Sequence, residues 1–157
     1  MAGTTIYMTI ETNAGPISPK GETAKTKSNA ILCSYYGYGA NVELVTSGGG
    51  GGSQVGKAHR TPVTIHKMID NISPRLMKAL LTGESLKTVT IELRRGTKTF
   101  FTVIMERALI TGIQHSVPDG DEVPDAVEEV EFHFNKLTFK SANGSTVTDD
   151  TLTNKTT

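Results

Sequence analysis

The stretch Arg60–Gly83, RTPVTIHKMIDNISPRLMKALLTG, holds the only convincing helix pattern in the sequence and confines that helix to about nine residues. Val63 and Ile65 alternate with Thr64 and His66, the period of a half-buried strand. Pro62 cannot donate a ladder hydrogen bond, so it belongs at a strand start or on an edge. Asp70, Asn71 and Ser73 then interrupt the chain. Ser73 predicts an N-cap whose hydroxyl accepts from an orphan first-turn amide. Pro74 falls at the first helical position, where its missing N–H costs nothing. Ile72 and Met77 stand at the positions of a hydrophobic staple. Leu76, Met77, Leu80 and Leu81 repeat at helical spacing as one apolar stripe, and Gly83 supplies a left-handed stop. A helix over about 74–82 is roughly 14 Å long. It is marginal alone and must pack on something.

Almost everything else alternates with period two. Ile6, Met8 and Ile10 mark a first strand, and Asn13 to Lys27 reads as a loop. Ala30–Tyr38 reads as one strand, with Ile31, Cys33 and Tyr35 on one face, and Val42–Val45 continues it or starts another. Gly48–Gly52 is a run of five glycines, which lose the most entropy on ordering, so a long flexible loop is expected over about 46–57. Leu86–Arg95, Thr99–Met105 and Ala108–Gln114 are further strands. Val127–Lys140 is the longest strand candidate, with Val130, Phe132 and Phe134 on one face. Asn143-Gly144 is a strong hairpin signal that pairs Leu137–Ser141 with Thr146–Thr148. Residues beyond Asp149 read as a frayed polar tail, about 150–157. Seven or eight strands with one inserted helix predict a mainly β fold, an antiparallel barrel or sandwich capped by the helix. A length of 157 residues predicts one domain spanning 1–157.

Charge and composition narrow the function classes. Sixteen basic and sixteen acidic residues give a net charge of zero, so no basic footprint points to nucleic acid or to an anionic membrane. Cys33 is the single cysteine, which excludes an intrachain disulfide. The first residues, MAGTTIYMTIET, lack a basic segment followed by an apolar one, so no cleaved secretion signal is expected. No run approaches the roughly 18 apolar residues of a membrane span.

Several near-motifs fail on chemistry. Gly51-x4-Gly56-Lys57-Ala58 almost spells a phosphate loop, but Ala58 stands where a metal-binding hydroxyl is needed, and His59-Arg60-Thr61-Pro62 cannot open a helix. His59, His66, His115 and His133 show no tight ligand spacing, and His66 and His133 fall on polar strand phases. Cys33 lies within an alternating strand, where a free cysteine behaves as a small buried hydrophobe rather than a nucleophile. Asp119, Asp121, Glu122, Asp125, Glu128 and Glu129 read as a solvated acidic face, since no calcium-loop pattern is present. No catalytic residue, metal site or cofactor is assigned.

The stretch Thr61-Pro62-Val63-Thr64-Ile65-His66-Lys67, followed by Asp70, Ser73-Pro74, Leu76, Ala79-Leu80 and Gly83, resembles the hemolysin-coregulated protein (Hcp) family of type VI secretion inner-tube subunits. Val130-Glu131-Phe132-His133-Phe134-Asn135-Lys136-Leu137 carries the rest of the likeness, which extends from Ile6 to Asp149. The segment Cys33-Ser34-Tyr35-Tyr36-Gly37 departs from the family's usual Trp or aromatic-Ser run after a basic segment; this chain has no Trp. The resemblance implies a hexameric, ring-forming, tail-tube-like fold and no catalysis. Its implied structural signature is Pro62, Asp70, Ser73, Pro74, Leu76, Leu80 and Gly83. It implies rings that stack into a tube, export from the bacterial cytoplasm without a cleaved signal, effector proteins held in the lumen, and sheath and spike partners. It also makes Gly48, Gly49, Gly50, Gly51, Gly52 and Ser53 a candidate ring-stacking loop. Competing readings are a phage-type tail-tube subunit, a monomeric β-sandwich ligand-binding module, and a hydrolase using Cys33 or the histidines. The absence of Trp disfavours a carbohydrate-binding module, and oligomeric state separates module from tube subunit.

Overall fold

In the computed structural model, residues 3–19, 29–46, 52–119, 126–153 and 155–157 are described. Among them the chain forms thirteen strands and one helix. The strands are β1 (Thr4–Thr12), β2 (Gly15–Ile17), β3 (Ile31–Cys33), β4 (Tyr35–Gly37), β5 (Ala40–Thr46), β6 (Ser53–Arg60) and β7 (Val63–Met68). After the helix α1 (Ser73–Thr82) come β8 (Leu86–Arg95), β9 (Lys98–Ser116), β10 (Val127–His133), β11 (Lys136–Ser141), β12 (Thr146–Asp150) and β13 (Lys155–Thr156). Every ladder is antiparallel.

The fold is mainly β with one helix, as the period-two pattern requires, but among the described residues the strand ladders do not close into a continuous barrel. The body is sandwich-like. One side runs β3-β1-β8-β9-β11-β12-β13, and the other runs β9-β10-β7-β4. Strand β9 belongs to both. The sequence divides this segment in two at Glu106–Arg107; the structure keeps one strand of 19 residues. Arg107 takes a left-handed φ of 52° there, so the strand bends between sheets instead of ending. Ala30–Tyr38 does the reverse. It divides at Ser34: β3 pairs with β1 and β4 pairs with β7. The Ser34 N–H donates to the His66 carbonyl, so the chain changes sheets without losing a ladder bond.

The longest-strand expectation for Val127–Lys140 also fails, because the chain breaks after His133 and resumes at Lys136. The Asn143-Gly144 hairpin forms as expected, with Leu137 opposite Asp149 and Thr138 opposite Thr148, and Gly144 at φ 92°. The tail does not simply fray: Lys155–Thr156 returns to pair with Asp149 and Asp150.

The core is filled from the inward phases of these strands. Met8, Ile10, Ile65, Val89, Ile91, Val103, Met105, Val130 and Phe132 are fully buried. Helix α1 packs against β9 through Leu76 and Ala79. Leu80 is half-buried against the same core, whereas Leu81, expected on the apolar stripe, is 77% exposed. At 100° per residue Leu81 stands about 140° round the helix from Leu76, off the face that Leu76 and Ala79 bury. Gly83 ends the helix at φ 63°, and the backbone N–H groups at the cap reach the Ala79 and Leu80 carbonyls. Arg75 and Glu84 then staple the helix ends together, with bonds of 2.6 and 2.8 Å.

Candidate functional site

Two places gather the residues singled out in the sequence: the start of α1 and the hairpin β5–β6. The start of α1 follows from the phase of two neighbouring strands. Val63, Ile65 and Lys67 point inward on β7; Glu128, Val130 and Phe132 point inward on β10. The antiparallel register sets Lys67 directly opposite Glu128. Their side chains are 1% and 0% exposed, so both charges are out of water.

Such a pair survives only if the remaining polar valences are met. Lys67 Nζ donates to Glu128 Oε2 at 2.8 Å, to Asp70 Oδ1 at 2.9 Å and to the Met68 carbonyl at 2.8 Å, and lies 3.3 Å from Ser73 Oγ. Glu128 also accepts from Ser73 Oγ at 2.8 Å, and its Oε1 lies 2.9 Å from His115 Nε2. Burial pushes the Glu128 carboxyl up. The hydrogen bonds from Lys67, His115 and Ser73, with the Lys67 charge, outweigh it and hold the carboxyl below its usual range.

This cluster explains Asp70 and Ser73 in a way the sequence reading did not. Ser73 is not the N-cap. Ile72 occupies that position in a right-handed helical conformation, with no side-chain cap bond. The Ser73 hydroxyl is turned inward instead, accepting from the Asp70 N–H at 3.0 Å and donating to Glu128. Asp70 Oδ1 takes the Ile72 N–H at 3.1 Å. The acidic run is likewise not uniformly solvated, because Glu128 faces the interior. Asp121, Glu122 and Asp125 lie outside the described residues. The signal for the buried pair was present: Lys67 and Glu128 extend the inward phases of their strands, each as the one charge in an apolar row.

The histidines are dispersed over separate partners. His59 lies 3.2 Å from Glu43, His66 lies 3.3 Å from Glu129 and stacks on Tyr35, and His133 Nδ1 lies 2.9 Å from Thr111 Oγ1. Among the described residues no group of three or more His, Cys, Asp or Glu is placed to hold a metal. Cys33 is buried, as expected of a small hydrophobe, and burial pushes its thiol up to about 12, which keeps it un-ionised at neutral pH. Gly56-Lys57-Ala58 lies within strand β6, and the backbone there has no helix to open.

The loop expected over 46–57 is in large part this hairpin. β5 and β6 form their own two-stranded sheet, and no strand of the body pairs with either among the described residues. Gly48–Gly51 lie outside the described residues; Gly52 precedes β6 and Ser53 begins it. The register shifts between Val42 and Leu44, and at this bulge the backbones close in. A Cβ on Gly56 would stand 3.0 Å from the Glu43 carbonyl oxygen, so any larger residue there would press on the facing strand. Along the hairpin Val42, Leu44, Val45 and Val55 are 49%, 69%, 52% and 69% exposed. An isolated two-stranded ribbon is barely stable in water. One with an apolar surface has a place in a soluble fold when a further surface covers it.

The base of the ribbon is attached to the body. Tyr38 lies with its ring 6.1 Å from Phe134 and 5.6 Å from Phe139. Arg60 Nε and Nη2 both donate to the carboxylate of Asp149, Nη2 at 2.9 Å. Pro62 follows just before β7, where its missing N–H leaves no gap in a ladder.

The geometry of the described residues defines a class: an antiparallel β protein with one helix locked by a buried ionic cluster and a separate two-stranded arm. Residues 7–140 match the family described as "Type VI secretion system effector, Hcp". The chain belongs to this Hcp family. It is similar to the "Major exported protein" of Pseudomonas aeruginosa strain PAO1, with 33% identity over 109 residues; that alignment spans 63% of this chain and 63% of the relative. A crystal structure of an Hcp protein superposes with a TM-score of 0.81 at 22% identity, covering 94% of this chain and 98% of the other. Secreted Hcp3 from Pseudomonas aeruginosa gives a TM-score of 0.71 at 24% identity, covering 94% and 98%. The anti-feeding prophage baseplate, a cryo-EM structure, shares the fold at a TM-score of 0.58 and 13% identity, covering 90% and 94%.

Proposed function

We propose that this protein is a non-catalytic subunit of the type VI secretion inner tube. Copies close into a hexameric ring, rings stack, and the tube is exported from the bacterial cytoplasm. The observation that carries this reading is the β5–β6 arm, whose apolar residues are exposed in a chain of the Hcp family. A head-to-tail contact that closes makes a ring, and one that does not close makes a filament. In the proposed assembly the arm, with the glycine run Gly48–Gly52 at its tip, reaches a neighbouring copy and supplies the ring-on-ring contact. Glycine serves such a contact because backbone can approach backbone closely. Sheath and spike proteins are the proposed partners of the assembled tube, and effector proteins its cargo.

The likeness to the anti-feeding prophage baseplate supports a second reading within the same architecture, a phage-type tail-tube subunit. Secretion into the culture medium distinguishes the two, being expected for the type VI subunit. The first test is negative-stain electron microscopy of the purified protein. Six-fold rings with an open centre are the expected result, and compact particles at every concentration would overturn the assignment.

A further inference from the structure

Among the described residues, side-chain contacts join the arm to the body at its base. Its ladder ends at the Ala40–Arg60 pair, beside which Thr61 Oγ1 accepts from the Gly39 N–H at 2.9 Å. A ribbon held only by its two connecting chains would sweep through a cone of directions. Two contacts oppose that sweep: the Tyr38 ring against Phe134 and Phe139, and the Arg60–Asp149 ion pair across 89 residues of sequence. The ion pair differs from an ordinary surface contact. It uses two nitrogens of a planar guanidinium on two oxygens of one carboxylate, which fixes orientation as well as distance. Its side chains are 29% and 14% exposed, so water only partly competes for it.

Asp149 is itself held from both sides. On β12 it stands opposite Leu137 of β11 and opposite Thr156 of β13. Thr148 and Thr157 exchange two backbone hydrogen bonds, and Thr156 Oγ1 lies 3.5 Å from Asp149 Oδ1. The returning C-terminal strand thus braces the residue on which the arm's base rests.

We propose that Arg60 and Asp149 are positioning residues that set the direction in which the β5–β6 arm projects, with β13 bracing Asp149 for that purpose. The proposal rests on the reading of the arm as an assembly contact. Its consequence is pre-organisation: an arm already aimed loses less freedom when a second copy binds it. The C-terminal strand, far from the arm in sequence, becomes part of the assembly machinery.

Pulsed EPR distances test this directly on the full-length protein. Spin labels go on Lys57→Cys in the arm and Lys87→Cys in β8, both exposed positions, diluted with unlabelled protein. Cys33 is only 6% exposed and its thiol is pushed up to about 12, so it does not compete for the label. One narrow distance distribution is expected in the otherwise unaltered protein. Asp149→Asn and Arg60→Met should each broaden it about two-fold. Arg60→Lys, which keeps the charge and loses the fork, should broaden it as well, and it guards against misfolding in the harsher variants. Deleting residues 155–157 should broaden it less. An unchanged distribution in Asp149→Asn and Arg60→Lys would overturn the proposal. Imaging the same variants separates the two levels. Broadening with undiminished rings and stacks supports the positioning role and counts against the arm as an assembly contact. A narrow distribution with lost stacking overturns the positioning role and leaves the assembly reading standing.

Discussion

At the start of α1, Lys67 and Glu128 are stripped of water and their neighbours meet their polar valences; on the β5–β6 arm, Leu44 and Val55 remain in water at 69% exposure each. The first region contains charge where apolar residues are the norm, and the second contains apolar residues where charge is the norm. Among the described residues, no buried side-chain nitrogen or oxygen lacks a partner. The buried polar side chains of the body are therefore satisfied within one chain. Among the described residues no body strand pairs with the arm, and its apolar side chains stay exposed.

The largest effect on stability is expected at Lys67. Lys67→Met leaves Glu128 buried beside Ser73 and His115 without its cation, and breaking a buried pair this way costs about 3–5 kcal/mol. Urea denaturation should show that loss, while the double variant Lys67→Met/Glu128→Leu should recover much of it. A loss below about 1 kcal/mol for the single variant would mean that water reaches the cluster.

Acid titration sharpens the same point. The Glu128 carboxyl lies below its usual range when folded, so the unfolded chain takes up its proton first as pH falls. Its contribution is complete above the ordinary carboxylate value of about 4.3 and disappears as pH drops through the lower folded value. The stability gap between the unaltered protein and Glu128→Gln should therefore be constant near neutrality and close on acidification below about pH 4. A gap independent of pH would overturn the ionised assignment.

Smaller effects are expected at the sheet-to-sheet bend. Arg107 holds a left-handed φ of 52° that glycine adopts without strain. Arg107→Gly should change stability by about 1 kcal/mol or less, in the stabilising direction, because the relieved strain slightly exceeds glycine's entropy loss. Thermal denaturation checks the sign.

The arm should respond least in stability and most in assembly. Leu44→Ser and Val55→Ser should each shift unfolding by no more than about 0.5 kcal/mol, as exposed substitutions do, yet weaken ring stacking. A large loss of monomer stability would show that the ribbon packs on its own body and would erase the contrast.

Much of this could be read from the sequence. Period-two alternation settled the β class and the inward residues of β1, β7, β8 and β10, since pleated strands leave no other way to bury Met8, Ile65, Val89 or Val130. Local chemistry placed the helix within one residue of its observed span, fixed the Gly83 stop, and located the Asn143-Gly144 hairpin. Those features depend on neighbours in the chain. The division at Ser34, the continuity of β9 through Arg107 and the exposure of Leu81 depend on which strands lie alongside. The inward turn of Ser73 needed Glu128, 55 residues away; the anchoring of the arm needed Asp149, 89 residues from Arg60. Sequence periodicity states which face of a strand is buried. Only the tertiary register decides which residue stands opposite, and hydrogen bonds and ion pairs are set at that short range.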